Sequence, residues 1–218
     1  MLWLLEELGT PYELVRYERD RATLLAPPSL RRVHPLGRSP VITDDGTTLA
    51  ESGAIIEYLL ERYGNGRLIP PAGTPERLRY RFWMHYAEGS AMPLLLLKLI
   101  FDRVQAGTPG LLRPLTKVIL GQVNGAYLHP QLQRHLDYMD DELRRSMWFA
   151  GEEFTAADIQ MSFPVETARR RAGLDRTRPR LWAFIERILQ RPAYRAALER
   201  GGPYELSASP GRDRISHP

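Results

Sequence analysis

The stretch from His34 to Tyr63, HPLGRSPVITDDGTTLAESGAIIEYLLERY, constrains this chain more than any other. Asp45-Gly46 sits between short runs rich in strand-forming residues, Val41-Ile42 before it and Thr47 to Leu49 after it. Both central positions of a type I′ turn need φ > 0, and Asp-Gly meets that need, so the pattern predicts a tight β-hairpin. Immediately beyond, Ile55, Ile56, Leu59, Leu60 and Tyr63 recur at helical spacing and fall on one face. Ser52 is the predicted cap of that helix and Gly64 its left-handed stop. The expected order is strand, turn, strand, helix.

Two features of this stretch point to ligand chemistry. Pro40 stands at the mouth of the first strand, where it leaves neighbouring backbone groups free of a central ladder. Val41 is then placed to offer its N–H and C=O to an extended, peptide-like ligand as if to another strand. Glu51-Ser52-Gly53 opens a helix, and the unpaired N–H groups and positive dipole end there favour an anion. A small ligand with a peptide middle and a carboxylate end suits both.

The order Ser39-Pro40-Val41 and then Glu51-Ser52 resembles the glutathione site of the glutathione S-transferases. HPLGRSPV, LAESG, YAEGS and the later FTAADIQMSFP are similar to the fungal and bacterial branch of that family, in family order from about Met1 to about Tyr204. The resemblance implies an α/β thioredoxin-like N-terminal domain followed by an all-α helical-bundle C-terminal domain. It also implies nucleophilic addition of glutathione's sulfur to a small hydrophobic electrophile, with glutathione as co-substrate and no metal. Ser52 would meet the γ-glutamyl carboxylate, Glu51 the ammonium group, Arg38 the glycyl carboxylate with help from His34, and Ser39, Pro40 and Val41 the peptide backbone. Tyr86, Ser90 and Met92 lie where the family lines its electrophile pocket, although by composition alone they suit contacts within a helix bundle equally well. A cytoplasmic homodimer follows from the same comparison, with a partner surface around Arg62, Arg77, Arg81 and Trp83. Rival readings are a non-catalytic ligand carrier or interaction module on the same fold, and a glutathione-dependent peroxidase.

The chain departs from the family at its front. Members begin with a central strand and a loop ahead of the helix that here is already under way at Met1, and that loop carries the residue that engages the sulfur. The favoured expectation is that roughly fifteen residues, a strand, a short loop and a helical turn, precede Met1 in the natural protein; the alternative is that the chain has a damaged first domain. The first domain is in that sense truncated, and no residue of this chain is assigned as the thiol-activating group.

The remaining sequence sets out the domains. Met1 to Leu8 predicts a helix stopped at Gly9, and YELVRYE from Tyr12 to Glu18 alternates as a strand does. Leu24 to Val33 predicts a short helix or irregular turn. The expected domains are residues 1–66, a Gly- and Pro-rich linker at 67–75, and a helical unit at 76–205, followed by a disordered tail at 206–218. Glu76 to Val104 predicts a long helix kinked by Pro93. Leu111 to Leu120 and Pro130 to Met147 continue the bundle, the latter with a surface face of Asp137, Asp140, Asp141 and Arg144. In the Gly151–Arg171 helix, Thr155 and Asp158 make a capping-box pattern flanked by Phe154 and Ile159. Leu181 to Gln190 and Pro192 to Arg200 are the final expected helices.

Composition removes several other classes. The 218 residues contain no cysteine, which excludes disulfides, thiolate metal sites and a cysteine nucleophile within the chain. The five histidines form no HExxH or comparable metal spacing, and no GxGxxG or GxxxxGK[ST] loop is present. No apolar run approaches the ~18 residues of a membrane span. A net charge of +4 and the Arg169-Arg170-Arg171 run raise nucleic acid as a partner, but acidic residues are interspersed throughout and no aromatic–basic motif accompanies them, so the run predicts a solvated helix end.

Overall fold

The computed structural model describes residues 1–20, 23 and 25–202. The first helix, α1 (Leu2–Leu8), buries Trp3, Leu4, Leu5 and Leu8 and ends on Gly9 at φ 68°. The Gly9 and Thr10 N–H groups fold back onto the Glu6 and Leu5 carbonyls, the closing bonds that a left-handed cap allows. Seven residues make a marginal helix alone. Here Glu7 accepts from Arg191 Nε and Nη2 at 2.6 and 2.9 Å, tying α1 to the far end of the chain.

The expected strand at Tyr12–Glu18 does not form: this segment carries no regular structure. A strand exists only where a ladder partner lies beside it, and among the described residues the sheet pairs β1 (Val41–Asp44) with β2 (Thr47–Ala50) alone. Before it comes α2 (Pro28–Val33), with proline at its first position, where its missing N–H costs nothing. The hairpin turn is as the sequence predicts, Asp45 at φ 50° and Gly46 at φ 80°. Asp44 accepts from Tyr58 and Tyr63 hydroxyls at 2.9 and 2.6 Å, pinning the hairpin to α3 (Ser52–Tyr63). The end of α3 differs from expectation. Gly64 is right-handed (φ −74°), and left-handed geometry falls on Asn65 and Gly66. Glycine is needed at 64 for another reason: a Cβ there would stand 2.3 Å from the Leu60 carbonyl oxygen.

The helical half starts at α4 (Pro75–Tyr86), whose cap Thr74 accepts from Arg77 N–H. The long predicted helix is interrupted by a π turn at Ala87–Ala91 before α5 (Met92–Gly107). The same device recurs between α6 (Arg113–Val123) and α7 (His129–Glu142), joined by a π turn at Asn124–Leu128. Each π turn ends just ahead of a proline at the second position of the next helix, Pro93 or Pro130. A proline ring collides with the carbonyl four residues back and cannot bond to it, and widening the preceding turn moves that carbonyl away. The irregularity therefore lies before Pro93 as a wide turn.

Helix α8 (Ala156–Arg171) runs through the core, buried on nearly every side as far as Ala168, and α9 (Pro179–Gln190) and α10 (Pro192–Gly201) close over it. One apolar cluster joins the two halves, from Trp3 and Ile55 through Trp83 and Phe149 to Phe184 and Tyr194. Two expectations change here. Trp83 is 0% exposed and belongs to this core, so it forms no partner surface. Asp140 is buried and accepts from the Arg180 and Leu181 N–H groups, both at 2.9 Å, capping α9 across the bundle. Arg169 and Arg170 are exposed at the end of α8, as a solvated helix end requires. The expected tail at 206–218 lies outside the described residues.

The capping box at Thr155–Asp158 is present. Asp158 is fully buried and accepts from Thr155 N–H at 2.8 Å and from Phe149 N–H at 2.9 Å. Burial pushes its carboxyl up to about 6, against the opposing pull of those N–H donors. Asp158→Ala strands two buried N–H groups and is expected to cost about 2–4 kcal/mol in urea unfolding. A raised acid pKa means that the folded state holds the proton longer than the unfolded chain. The stability linked to Asp158 is therefore greatest below about pH 4 and is lost as pH rises through about 6. The gap between wild type and Asp158→Ala is expected to widen on going from pH 7 to pH 4.

Candidate functional site

The hairpin register brings the predicted site together. Val41 pairs with Ala50, so the strand that follows Pro40 and the helix start that follows Ala50 lie side by side at one end of the sheet. The Ser39-Pro40 peptide is cis. The loop leading to it carries His34, Arg38 and Ser39, the last two exposed. His34 Nδ1 accepts from Leu36 N–H at 3.4 Å. Gly37 lets this loop pass Arg31, since at φ 55° a Cβ would meet Arg31 Cγ at 2.6 Å.

The other half of the site differs from the sequence prediction in detail. The cap of α3 is Glu51, at φ 75° and ψ 118°, with no side-chain capping bond. Ser52 is the first helical residue, and its hydroxyl is not used as a cap. A non-glycine residue in this conformation is strained by about 1–3 kcal/mol, and such strain concentrates at ligand sites. The outcome is an open helix start: the first-turn N–H groups of a twelve-residue helix point outward without a side chain to satisfy them.

Sequence reasoning missed the partners of Ser52. Its hydroxyl donates to Glu88 Oε1 at 2.8 Å, and Gln160 Nε2 donates to both the Ser52 hydroxyl and Glu88 Oε1 at 3.1 Å. Glu88 sits in the first π turn and Gln160 on α8, so the helical half reaches across to the helix start. Signals for both existed. Glu88 lies inside YAEGS, and Gln160 is a buried polar residue between Ile159 and Met161, a position that demands a partner. Charge is graded along the site, with His34 and Arg38 at the loop end and Glu51 and Glu88 at the helix end.

The three residues expected to line an electrophile pocket divide. Ser90 and Met92 are partly buried in and just after the π turn that holds Glu88. Tyr86 follows the bundle-contact alternative: it is buried in the helical half, packed with Phe82, Trp83 and Tyr138, and its hydroxyl is bonded to His135 Nδ1 at 2.5 Å. It is a contact between α4 and α7. Among the described residues no group of three His, Cys, Asp or Glu side chains is placed to hold a metal ion, and no helix is long and apolar enough to cross a membrane.

Comparison with known proteins gives the family. Residues 1–67 match the family profile of the glutathione S-transferase N-terminal domain, and residues 126–192 that of the C-terminal domain. Glutathione S-transferase 3 of Schizosaccharomyces pombe is 35% identical over 218 residues, covering 100% of this chain and 89% of the relative. Glutathione S-transferase 1 of Saccharomyces cerevisiae is 29% identical, covering 92% and 89%. Among solved structures, a glutathione S-transferase from Actinobacillus pleuropneumoniae superposes with a TM-score of 0.73 at 31% identity, over 95% of this chain and 89% of the other. A sphingomonad glutathione S-transferase complexed with glutathione superposes with a TM-score of 0.68 at 26% identity, over 92% of each.

The Tyr86–His135 pair sets a testable property of the contact between α4 and α7. Burial and the neighbouring Arg134 lower the His135 pKa below 6.5, and burial raises that of Tyr86. In unfolding, the exposed histidine takes a proton before the folded one does. Stability linked to His135 is therefore present above pH 6.5 and falls as pH drops through the lowered folded value. An NMR titration is expected to place the His135 midpoint below 6.5. Tyr86→Phe is expected to cost about 1 kcal/mol in urea unfolding, through the lost bond.

Proposed function

Given that the chain belongs to the glutathione S-transferase family, we propose that it binds glutathione as co-substrate and joins its sulfur to a small hydrophobic electrophile. The observation that best supports this is the adjacency of two unlike ends in one hairpin register, Val41 beside the helix start that follows Ala50. The tripeptide's backbone adds to β1 as a short strand against Val41 beyond Ser39-Pro40. Its γ-glutamyl carboxylate sits on the first-turn N–H groups of α3, and the Ser52 hydroxyl, which donates to Glu88 in the free protein, turns to donate to it on binding. The γ-glutamyl ammonium faces Glu51 and Glu88, and the glycyl carboxylate faces Arg38 with His34. Ser90 and Met92 border the electrophile.

The chemistry asked of this arrangement is mainly positioning. Fixing both charged ends and the peptide middle holds the sulfur at one place relative to the electrophile, which replaces an encounter between two free molecules with a pre-oriented one. Thiolate is the attacking form, and a free thiol near pKa 8.5 supplies little of it at neutral pH. A hydrogen-bond donor aimed at the sulfur raises that fraction by favouring the charged form.

The reading extends to a cytoplasmic detoxifying enzyme working as a homodimer. With Trp83 in the core, the partner surface would centre on the exposed α4 side chains Leu78 and Phe82, with Arg62, Arg77 and Arg81 around them. Sedimentation is expected to give a dimer that Leu78→Asp with Phe82→Asp weakens.

The decisive test is calorimetric titration with glutathione. Ser52→Ala removes one charge-assisted hydrogen bond and is expected to weaken binding about tenfold to hundredfold while leaving the fold intact. Wild-type affinity in Ser52→Ala, or no uptake by the unmodified protein at millimolar glutathione, would overturn the reading.

A further inference from the structure

Helix α6 is eleven residues long and buries none of them. Thr116 and Leu120, one turn apart, are half-buried and mark a narrow edge toward α5, the helix packed beside it. The rest of its surface carries an open apolar face. Leu111, in the single turn Gly110–Leu112 that leads into the helix, is 93% exposed, and Leu115, Val118 and Ile119 are each more than half exposed. Leu112 and Val123 extend the face. By helical position these six side chains share one side of α6. Helices in proteins owe most of their stability to burying such a face, and one left open marks a place where something docks.

Charge decides what docks there. Residues 103–136 include Arg103, Arg113, Lys117 and Arg134 and neither Asp nor Glu. All four cations are exposed. By helical position Arg113 and Lys117 flank the apolar face, one on each side. Arg113 Nε donates to the Thr108 carbonyl at 3.1 Å, a neutral partner that leaves its charge unmatched. A second copy of the chain is a poor cover for such a face. Paired about a two-fold axis, it would crowd the cations of both copies around one interface, with no carboxylate in the segment to receive them. An anionic bilayer surface meets both features at once. The apolar side chains enter as far as the boundary between headgroups and acyl chains, and the long cationic side chains reach the lipid phosphates from the flanks.

We propose that α6 and the Gly110–Leu112 turn form a docking surface for an anionic phospholipid bilayer, on which the protein rests peripherally with α6 in the plane of the interface. The surface is independent of the glutathione reading, since Ser52 lies on α3 and Glu88 in the first π turn. A neutral bilayer takes the leucines and leaves Arg113 and Lys117 without counter-charge. A soluble polyanion does the reverse. The anionic bilayer supplies apolar depth and negative charge together.

Co-sedimentation of the full chain with vesicles tests this, using phosphatidylcholine alone and phosphatidylcholine with about one-third phosphatidylserine. Retention is expected on the anionic vesicles at low salt, at least about tenfold weaker retention on the neutral ones, and release at about 0.5 M NaCl. Arg113→Gln with Lys117→Gln is expected to weaken binding about tenfold to thirtyfold, near fivefold for each charge removed. Leu115→Asp with Ile119→Asp is expected to weaken it more than about a hundredfold. Both pairs replace exposed side chains, so an unchanged melting temperature is expected with each. The chain has no cysteine, so Val118→Cys can carry a single environment-sensitive dye, whose emission is expected to shift to the blue on anionic vesicles even if another variant misfolds. No retention on anionic vesicles, equal retention on both kinds, no dye shift, or unchanged binding by Leu115→Asp with Ile119→Asp would overturn the proposal. So would a dimer in sedimentation velocity that this last pair dissociates, which would give the face to a second copy.

Discussion

The buried carboxylate of Asp158 is the interaction on which the rest of this molecule depends. It receives the Thr155 and Phe149 N–H groups at once, so it fixes where α8 starts and pins the preceding loop against that start. Everything that packs on α8 inherits this reference point. Gln160 is two residues further along, and its side chain crosses to Ser52 and Glu88. The geometry of the candidate site is thus set partly by a group with no chemical role in it. Burying a carboxylate is costly, and the raised pKa of Asp158 is the visible sign of that cost.

A second constraint joins the two halves. α1 contributes Trp3 to the common core, where it meets Phe154 and Tyr194, and Glu7 is held by Arg191. Arg67 closes the circle, its Nη2 donating to the Leu8 carbonyl at 2.8 Å. The α/β half is accordingly fastened to the helical half at both α1 and Ser52. With core and polar ties at both places, hinge motion between the halves is resisted, and Ser52, Glu88 and Gln160 are held in register.

Much of this was legible in the sequence because it depends on local rules. The Asp45-Gly46 turn, the α3 apolar face and the Thr155–Asp158 box are each decided within a few residues. The misreadings have one source: they concern positions whose outcome depends on distant chain. Tyr12–Glu18 alternates like a strand but has no ladder partner. Asp140 resembles a surface acid until α9 docks on it. Trp83 lies on a helix whose buried face is chosen by α7 and α8, not by α4 itself. Ser52 stood out in the sequence as a candidate and its partners Glu88 and Gln160 did not, since a bond between residues 52 and 88 leaves no mark on either neighbourhood.

The two wide turns ahead of Pro93 and Pro130 also have a consequence for phase. An α-helix turns by about 100° per residue, so one surplus residue would swing every later side chain by that angle. A turn with i→i+5 bonding takes up the surplus locally. Leu95 beyond the first joint and Leu132 and Leu136 beyond the second still point into the common core. Each joint therefore works as a phase compensator, letting the helix carry a polar excursion (Glu88 in one, Asn124 in the other) without losing alignment downstream.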